Sequence, residues 1–192
     1  MNTALAHETI RGRVVDIGGG RSPDYFSYLK TEDGATIEVS DLSVSPLDFE
    51  KDALPYASGS VDTALMCNVL EHIYHHTHLL SEARRILNPK GELIGFVPFW
   101  VGYHPDPHDY FRYTHEALSI MLTEAGFTDI KITRVGKGPL AANFNTIVLS
   151  LPRLLRPVLY VPYMLLDYFF LFLRPASAVR FPLGYVFTAK AS

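Results

Sequence analysis

A chain of 192 residues that is 48% hydrophobic can bury a core within one domain without covalent staples. Its single cysteine, Cys67, excludes an internal disulfide framework. The stretch from Met1 to Arg13 holds no apolar run of the secretory type, so a cytoplasmic protein is expected. The net charge of −3 is unevenly divided: residues 151–192 carry five Lys/Arg against one acid, Asp167, and residues 1–150 carry twelve against nineteen, which argues against a nucleic-acid partner for the body of the protein.

In chain order, apolar β-rich runs alternate with helical patterns. Strands are predicted at 13–17, 35–40, 61–67, 92–98, 129–135 and 184–189. Between them, Leu79, Leu80, Ala83, Ile86 and Leu87 recur at helical spacing, with Thr77 as the expected N-cap and Asn88-Pro89-Lys90-Gly91 as the exit turn. A further helix runs from Thr114 through Leu118, Met121, Leu122 and Ala125, and Gly126 stops it. Strands alternating with helices predict an α/β fold: a Rossmann-like, doubly wound, mostly parallel sheet. No internal repeat interrupts it. A single domain over 1–192 is expected, with a substrate loop at 100–114 and an apolar helical insertion at 139–182.

The run Val14-Val15-Asp16-Ile17-Gly18-Gly19-Gly20-Arg21 is a β-branched strand ending in an acid and entering three glycines. Such a turn lets a ligand approach the backbone at the carboxyl end of the first strand. About twenty residues on, Ile37-Glu38-Val39-Ser40-Asp41 ends a second strand in an acid suited to both ribose hydroxyls of an adenosine ligand. That spacing fits a nicotinamide dinucleotide or S-adenosylmethionine. Pro23 stands where the dinucleotide fingerprint wants a small residue, and only about seven residues follow before Lys30-Thr31-Glu32-Asp33-Gly34, so the first helix should be short.

Further motifs follow in order: Asp48-Phe49-Glu50-Lys51-Asp52-Ala53-Leu54-Pro55-Tyr56, then Ser60-Val61-Asp62, then Asn68-Val69-Leu70-Glu71-His72-Ile73, then Glu82-Ala83-Arg84-Arg85-Ile86-Leu87-Asn88-Pro89-Lys90-Gly91. Over residues 14–97 this series resembles the class I S-adenosylmethionine-dependent methyltransferases. It is most similar to the small ubiquinone/menaquinone-methyltransferase-like branch (type 11). The resemblance implies S-adenosyl-L-methionine as cofactor. It implies that Gly18, Gly19 and Gly20 admit the methionine end, that Asp16 orders that loop and the ligand's amino group, and that Asp41 holds the ribose. Asp48 and Phe49 would meet the adenine edge, with Asp52 as the alternative. Asn68 would lie beside the methionine moiety. His72 would pack the cofactor loop, while Glu71 is read either as a site residue or as a helix N-terminal acid.

The stretch Tyr103-His104-Pro105-Asp106-Pro107-His108-Asp109-Tyr110-Phe111-Arg112-Tyr113-Thr114 follows the strand 92–98 and belongs to the same sheet edge. Some bacterial methyltransferases found among cell-surface glycan enzymes have a similar segment. Two readings stay open. In one, His108 or Asp109 is the general base, Tyr103, Tyr110 and Tyr113 line the acceptor site and Arg112 fixes an anionic group. In the other, Arg112 pairs with Asp109 and the aromatics pack the loop onto the sheet. No metal is expected: prolines separate His104, Asp106 and His108, and the spacing of His75 and His78 is equally that of a solvated helix face.

From Ile147 to Leu173 the chain is overwhelmingly apolar, with Arg153 and Arg156 before its densest part and Arg174 and Arg180 after it. Val158 to Leu173 would reach about 24 Å as a helix, short of roughly 30 Å of hydrocarbon, and it contains Pro162 and Asp167. A peripheral contact at the inner face of a membrane through 147–173 is expected, with a cap over the substrate pocket or a homodimer surface as the alternatives. The expected function is methyl transfer to an oxygen of a small or lipid-linked acceptor such as a sugar. The alternatives are a non-catalytic binding module of the same fold and a nicotinamide-dependent oxidoreductase.

Overall fold

The computed structural model describes residues 1–20, 23–41 and 47–191, so Arg21 and Ser22 of the glycine turn lie outside the described residues. In chain order the elements are α1 (Asn2–Leu5), β1 (Thr9–Ile10), β2 (Arg13–Ile17), β3 (Lys30–Thr31), β4 (Thr36–Ser40), β5 (Val61–Cys67), α2 (His76–Ile86), β6 (Leu87–Pro98), α3 (His115–Glu124), β7 (Thr128–Val135), α4 (Pro139–Ile147), α5 (Leu155–Leu173) and β8 (Gly184–Lys190). Six strands form the main sheet in the order β4-β2-β5-β6-β8-β7, and β1 pairs with β3 in a separate two-stranded ladder. Strands β4, β2, β5 and β6 run parallel, and β8 runs antiparallel to both neighbours. The strand order therefore reverses at β2, which opens a crevice above the carboxyl ends of β2 and β5.

Both sheet faces are buried, and the central strands divide their side chains between two cores. Val15, Ile17, Ala64 and Met66 face a large cluster with Leu79, Leu80 and Ala83 of α2 and Leu118 and Leu122 of α3. Val14, Leu65 and Cys67 face a smaller cluster roofed by Leu5, Tyr25 and Leu29. That period-two split is why the second half of β5, Ala64 to Cys67, reads as an unbroken apolar run. Where a full helix often follows the first strand, only a single 3-10 turn, Asp24–Ser27, is formed.

Two boundaries differ from the sequence expectation, each for a local reason. Helix α2 starts one residue before Thr77, with His75 at its N-cap, because the Glu50 carboxylate accepts the Tyr74 and His75 amides at 2.7 Å each. Residues 88–91 lie inside β6 as a bulge, since Val61 pairs with Leu87 and Thr63 already with Glu92. The Thr114 hydroxyl accepts the Ala117 amide as the N-cap of α3, and Gly126 follows that helix at φ +85°.

The insertion between β7 and β8 explains the acid inside its apolar helix. Asp167 of α5 is 1% exposed, and its two oxygens accept the Leu140 and Ala141 amides at 2.9 and 2.7 Å. These are first-turn amides of α4, which have no partner within their own helix. Asp167 thus caps α4 from a distance and latches the helix pair together. A Cβ on Gly138 would sit 2.6 Å from the same carboxylate.

A second buried acid lies under the glycine turn. Asp16 is fully buried, and the Tyr25 hydroxyl is 2.7 Å from each of its oxygens. Burial pushes its carboxyl up to about 7, with the Tyr25 hydrogen bond opposing and Asp41 reinforcing the shift.

Replacing Asp167 by Ala should destabilise the protein by about 2 kcal/mol and speed amide exchange at Leu140 and Ala141. Asp167→Asn should do less, since it keeps one acceptor. Unchanged exchange at those two amides removes the latch. Because Asp16 stays protonated in the fold above the pH at which it ionises in the unfolded chain, stability of the cofactor-free protein should fall as pH rises from about 4 to about 7. Urea unfolding of Asp16→Asn should show a flatter profile across that window, and an unaltered slope contradicts the shift.

Candidate active site

The crevice at the reversal point holds a cavity of about 540 Å³ lined by Gly18, Gly19, Gly20, Asp41, Phe49, Asn68, Val69, His72, Ile73, Asp106 and Pro107. Three chain turns meet there, from the carboxyl ends of β2, β4 and β5. Gly18 and Gly20 have φ of +76° and +68°, a region that side chains with a Cβ rarely occupy. A Cβ at Gly18 would come within 2.7 Å of Val69, while one at Gly20 would meet no atom within 4 Å among the described residues. The first turn is thus packed against the β5 turn, and its last glycine leaves bare backbone at the cavity. Gly19 closes over Asp16, so the buried acid holds the turn from below.

Asp41 stands on the cavity wall and accepts the Gly20 amide at 3.1 Å. Asn68 takes a left-handed φ of +56°, which asparagine tolerates better than most residues. Its amide donates to the Phe96 carbonyl, and its side-chain nitrogen lies 3.4 Å from the Met1 sulfur. Phe49 closes another side. Asp48 is directed elsewhere: its carboxylate pairs with Lys51 at 2.9 Å and accepts the Glu50 amide. Asp52 accepts the Asp48 amide, so neither acid lines the cavity. The remaining set fits an adenosyl sulfonium ligand, combining open backbone, a carboxylate, an aromatic ring and a polar amide side chain on one cavity wall.

The loop after β6 corrects several expected roles. Arg112 and Asp109 form a two-pronged ion pair, with one prong at 2.8 Å and the other at 2.5 Å, and the Asp109 side chain is 2% exposed. Arg112 holds the Asp109 carboxyl far below the ordinary carboxylate range, so Asp109 is no general base and Arg112 is not free for an anionic substrate. Tyr113 is buried with its hydroxyl donating to the Leu70 carbonyl at 3.0 Å. The Tyr110 ring packs against Tyr74 and His108, while its amide donates to the Glu71 carbonyl. Tyr103 is 79% exposed. None of these residues, nor the His108 ring, lines the cavity; the loop contributes Asp106 and Pro107 instead.

Sequence reasoning undervalued Glu71, His72 and His104. Glu71 is fully buried, and among the described residues neither of its oxygens has a hydrogen-bond partner. Burial pushes its carboxyl up to about 7 although the Arg112 charge opposes the shift. His72 lines the cavity, and the ring of His104 meets it edge to face at 5.2 Å. The signal for Glu71 and His72 was present in the Leu70-Glu71-His72 motif. His104 carried none, because only the return of the loop brings it there. His75, His76 and His78 do not line the cavity, and His78 bonds the Asp52 carbonyl at 3.0 Å.

Comparison with known proteins agrees with this geometry. Residues 17–95 match the family described as "Methyltransferase domain". An "Uncharacterized methyltransferase" of Mycolicibacterium gilvum is 31% identical over 104 residues, a match covering 46% of this chain and 40% of that protein. An "Uncharacterized 37.1 kDa protein in transposon TN4556" of Streptomyces fradiae is 31% identical over 91 residues, covering 46% of this chain and 24% of its own length. The chain thus spans well under half the length of these curated relatives. Among solved structures, a phosphoethanolamine N-methyltransferase 2 of Haemonchus contortus, in complex with phosphomonomethylethanolamine and S-adenosylhomocysteine, superposes with a TM-score of 0.56. Its identity is 17%, with 98% of this chain and 52% of that one covered, so the likeness is one of fold. Residues 17–95 are thus similar to the methyltransferase domain family, and the sheet that carries them has the fold of that solved methyltransferase.

Proposed function

We propose that this protein transfers a methyl group from S-adenosyl-L-methionine to an oxygen of a small or lipid-linked acceptor. The observation that carries the reading is the cavity at the reversal point, where Gly20 backbone, Asp41, Phe49 and Asn68 converge. When bound, the cofactor supplies an activated methyl on a sulfonium and a neutral thioether leaving group. What remains for the chain is to align the acceptor, exclude water and remove a proton. Gly18 and Gly20 admit the methionine end, Asp41 receives the ribose hydroxyls and Asn68 borders the transfer point. His72, with Glu71 behind it and His104 beside it, occupies the acceptor side of the cavity.

The lipid-linked reading rests on the insertion. A second cavity of about 910 Å³ runs from Met1, which touches Asn68, past Val135 and Leu183 to Ala141, Phe144, Tyr160 and Met164 of α4 and α5. The outer face of α5 exposes Val158, Val161, Leu165, Phe169, Phe172 and Leu173. At 19 residues, or about 28 Å, this helix is long and apolar enough by composition to cross a membrane, but Asp167 is bound to α4 and the helix lies against the domain. A helix held in that way is suited to lying in the bilayer interface, with Arg153, Arg156, Arg174 and Arg180 near anionic headgroups. A lipid-linked acceptor could then pass from the interface into the larger cavity.

Calorimetry with S-adenosylmethionine and NADH tests the cofactor assignment. Asp41→Ala should weaken the former by ten- to a hundredfold, about the loss of a charge-assisted hydrogen-bond pair. Asp41→Asn, which retains an acceptor for the Gly20 amide, separates loop damage from ligand loss. Unchanged affinity in both variants refutes the ribose role. In flotation assays the protein should bind vesicles containing anionic lipid and lose that binding in Leu165→Ser/Phe172→Ser. A stable dimer that ignores vesicles would assign the same face to a second copy.

A further inference from the structure

Glu71, His72 and His104 converge on one point from two segments, the turn after β5 and the loop after β6. One carboxylate oxygen of Glu71 lies 3.7 Å from Nε2 of His72 and 3.8 Å from Nε2 of His104. One ligand-type atom from each residue falls within 4.8 Å of the others. The protonation pattern of the two rings follows from their remaining nitrogens. His72 Nδ1 lies 2.5 Å from the His108 carbonyl oxygen, and His104 Nδ1 lies 2.8 Å from the Gly102 carbonyl oxygen. A carbonyl only accepts, so the His72 ring carries its proton on Nδ1 and turns the Nε2 lone pair toward Glu71; His104 Nδ1 faces both the Gly102 carbonyl and, at 3.2 Å, the Arg112 guanidinium.

Two imidazole Nε2 atoms thus face a carboxyl group that is fully buried and, among the described residues, without a hydrogen-bond partner. An isolated buried carboxylate is costly, and Arg112 answers Asp109 through its two-pronged pair. A cation resolves the arrangement. Orienting a histidine ligand by giving its other ring N–H to a backbone carbonyl is also how proteins set a metal-bound imidazole. A divalent ion about 2.1 Å from each ligand atom requires neighbouring ligand atoms about 3.0–3.4 Å apart, so the two separations from Glu71 need close by only a few tenths of an ångström, while the widest in the group, within 4.8 Å, closes by a turn of the partly exposed His104 ring. The His104 side chain is 38% exposed and leaves an entry path, while His72 forms part of the cavity wall.

We propose that Glu71, His72 and His104 form a binding site for a divalent first-row transition ion at the acceptor side of the cofactor cavity. Two nitrogens and one carboxylate favour zinc, iron or manganese over calcium or magnesium, and three protein ligands leave positions open toward the cavity. The site itself stands on the chain's own geometry. Its chemical use rests on the methyl-transfer reading: an acceptor hydroxyl on an open position loses its proton to water more readily. The resulting oxygen forms its bond to the methyl carbon as the carbon–sulfur bond breaks and its electron pair passes to sulfur.

The test is titration of the full-length protein, without S-adenosylmethionine, with cobalt(II) as a spectroscopic probe and zinc as competitor. A saturable visible absorption band of one ion per chain, displaced by zinc, is expected. Glu71→Gln, close in shape, and His104→Ala, on a partly exposed loop, should each weaken cobalt binding at least about tenfold while circular dichroism and S-adenosylmethionine affinity stay unchanged. No band at millimolar cobalt, or a band that survives both substitutions in folded protein, overturns the site. Loss of S-adenosylmethionine binding in the unmodified protein would sink the methyl-transfer reading and leave the cation result standing.

Discussion

The packing of the first glycine turn against its neighbours sets the position of everything at the carboxyl edge of the sheet. Gly18 is pressed against Val69, Gly19 covers the Asp16 carboxylate, and Tyr25 holds that acid from the other side. Through Val69 the β2 turn fixes the β5 turn, and through the Gly20 amide it fixes Asp41 beyond β4. A side chain added at Gly18 or Gly19 would therefore displace three strand ends at once. The cavity is open because the turn has been tightened elsewhere, leaving Gly20 with no atom of the described residues within 4 Å of its missing Cβ.

Buried acids organise the rest, and each is answered differently. Asp16 is met by a phenol and a raised affinity for its own proton. Asp167 is met by the amide end of another helix. Asp109 is met by a guanidinium. Glu71 shares the raised proton affinity of Asp16 but, among the described residues, accepts no hydrogen bond, and it lies behind His72 of the cavity wall. An uncompensated buried charge is expensive, so the missing hydrogen-bond partner at Glu71 is the observation on which the proposed cation site stands.

Sequence reading found the sheet because its signals are local. β5 is bounded at Val61 and Cys67 as the apolar run predicts, and Thr114 caps α3. The cavity wall was equally legible, since Gly18, Asp41 and Asn68 each follow a strand directly and the topology gathers strand ends. The loop 100–114 was not. Its residue types suited catalysis, but an Arg three residues after an Asp can serve either as a free cation or as that acid's partner, and the choice depends on burial. Burial took Arg112, Asp109 and Tyr113 into the loop's own support and brought His104, one of its less conspicuous members, to Glu71. Contacts across thirty residues leave no periodic trace.

The apolar tail follows from the same constraint on charge. A carboxylate in the middle of a membrane-spanning helix would need a partner within the bilayer, and here Asp167 has its partners in α4, outside α5 itself. Drawing α5 away to span a membrane would expose the first turn of α4 and leave Asp167 unpaired in hydrocarbon. The latch therefore favours a helix that stays on the domain, with its inner side closing the larger cavity and its outer side apolar. The feature that weakens the case for a transmembrane span is thus the one that makes a fixed, surface-lying helix possible, and it ties the tail to the wall of a cavity that begins beside Asn68.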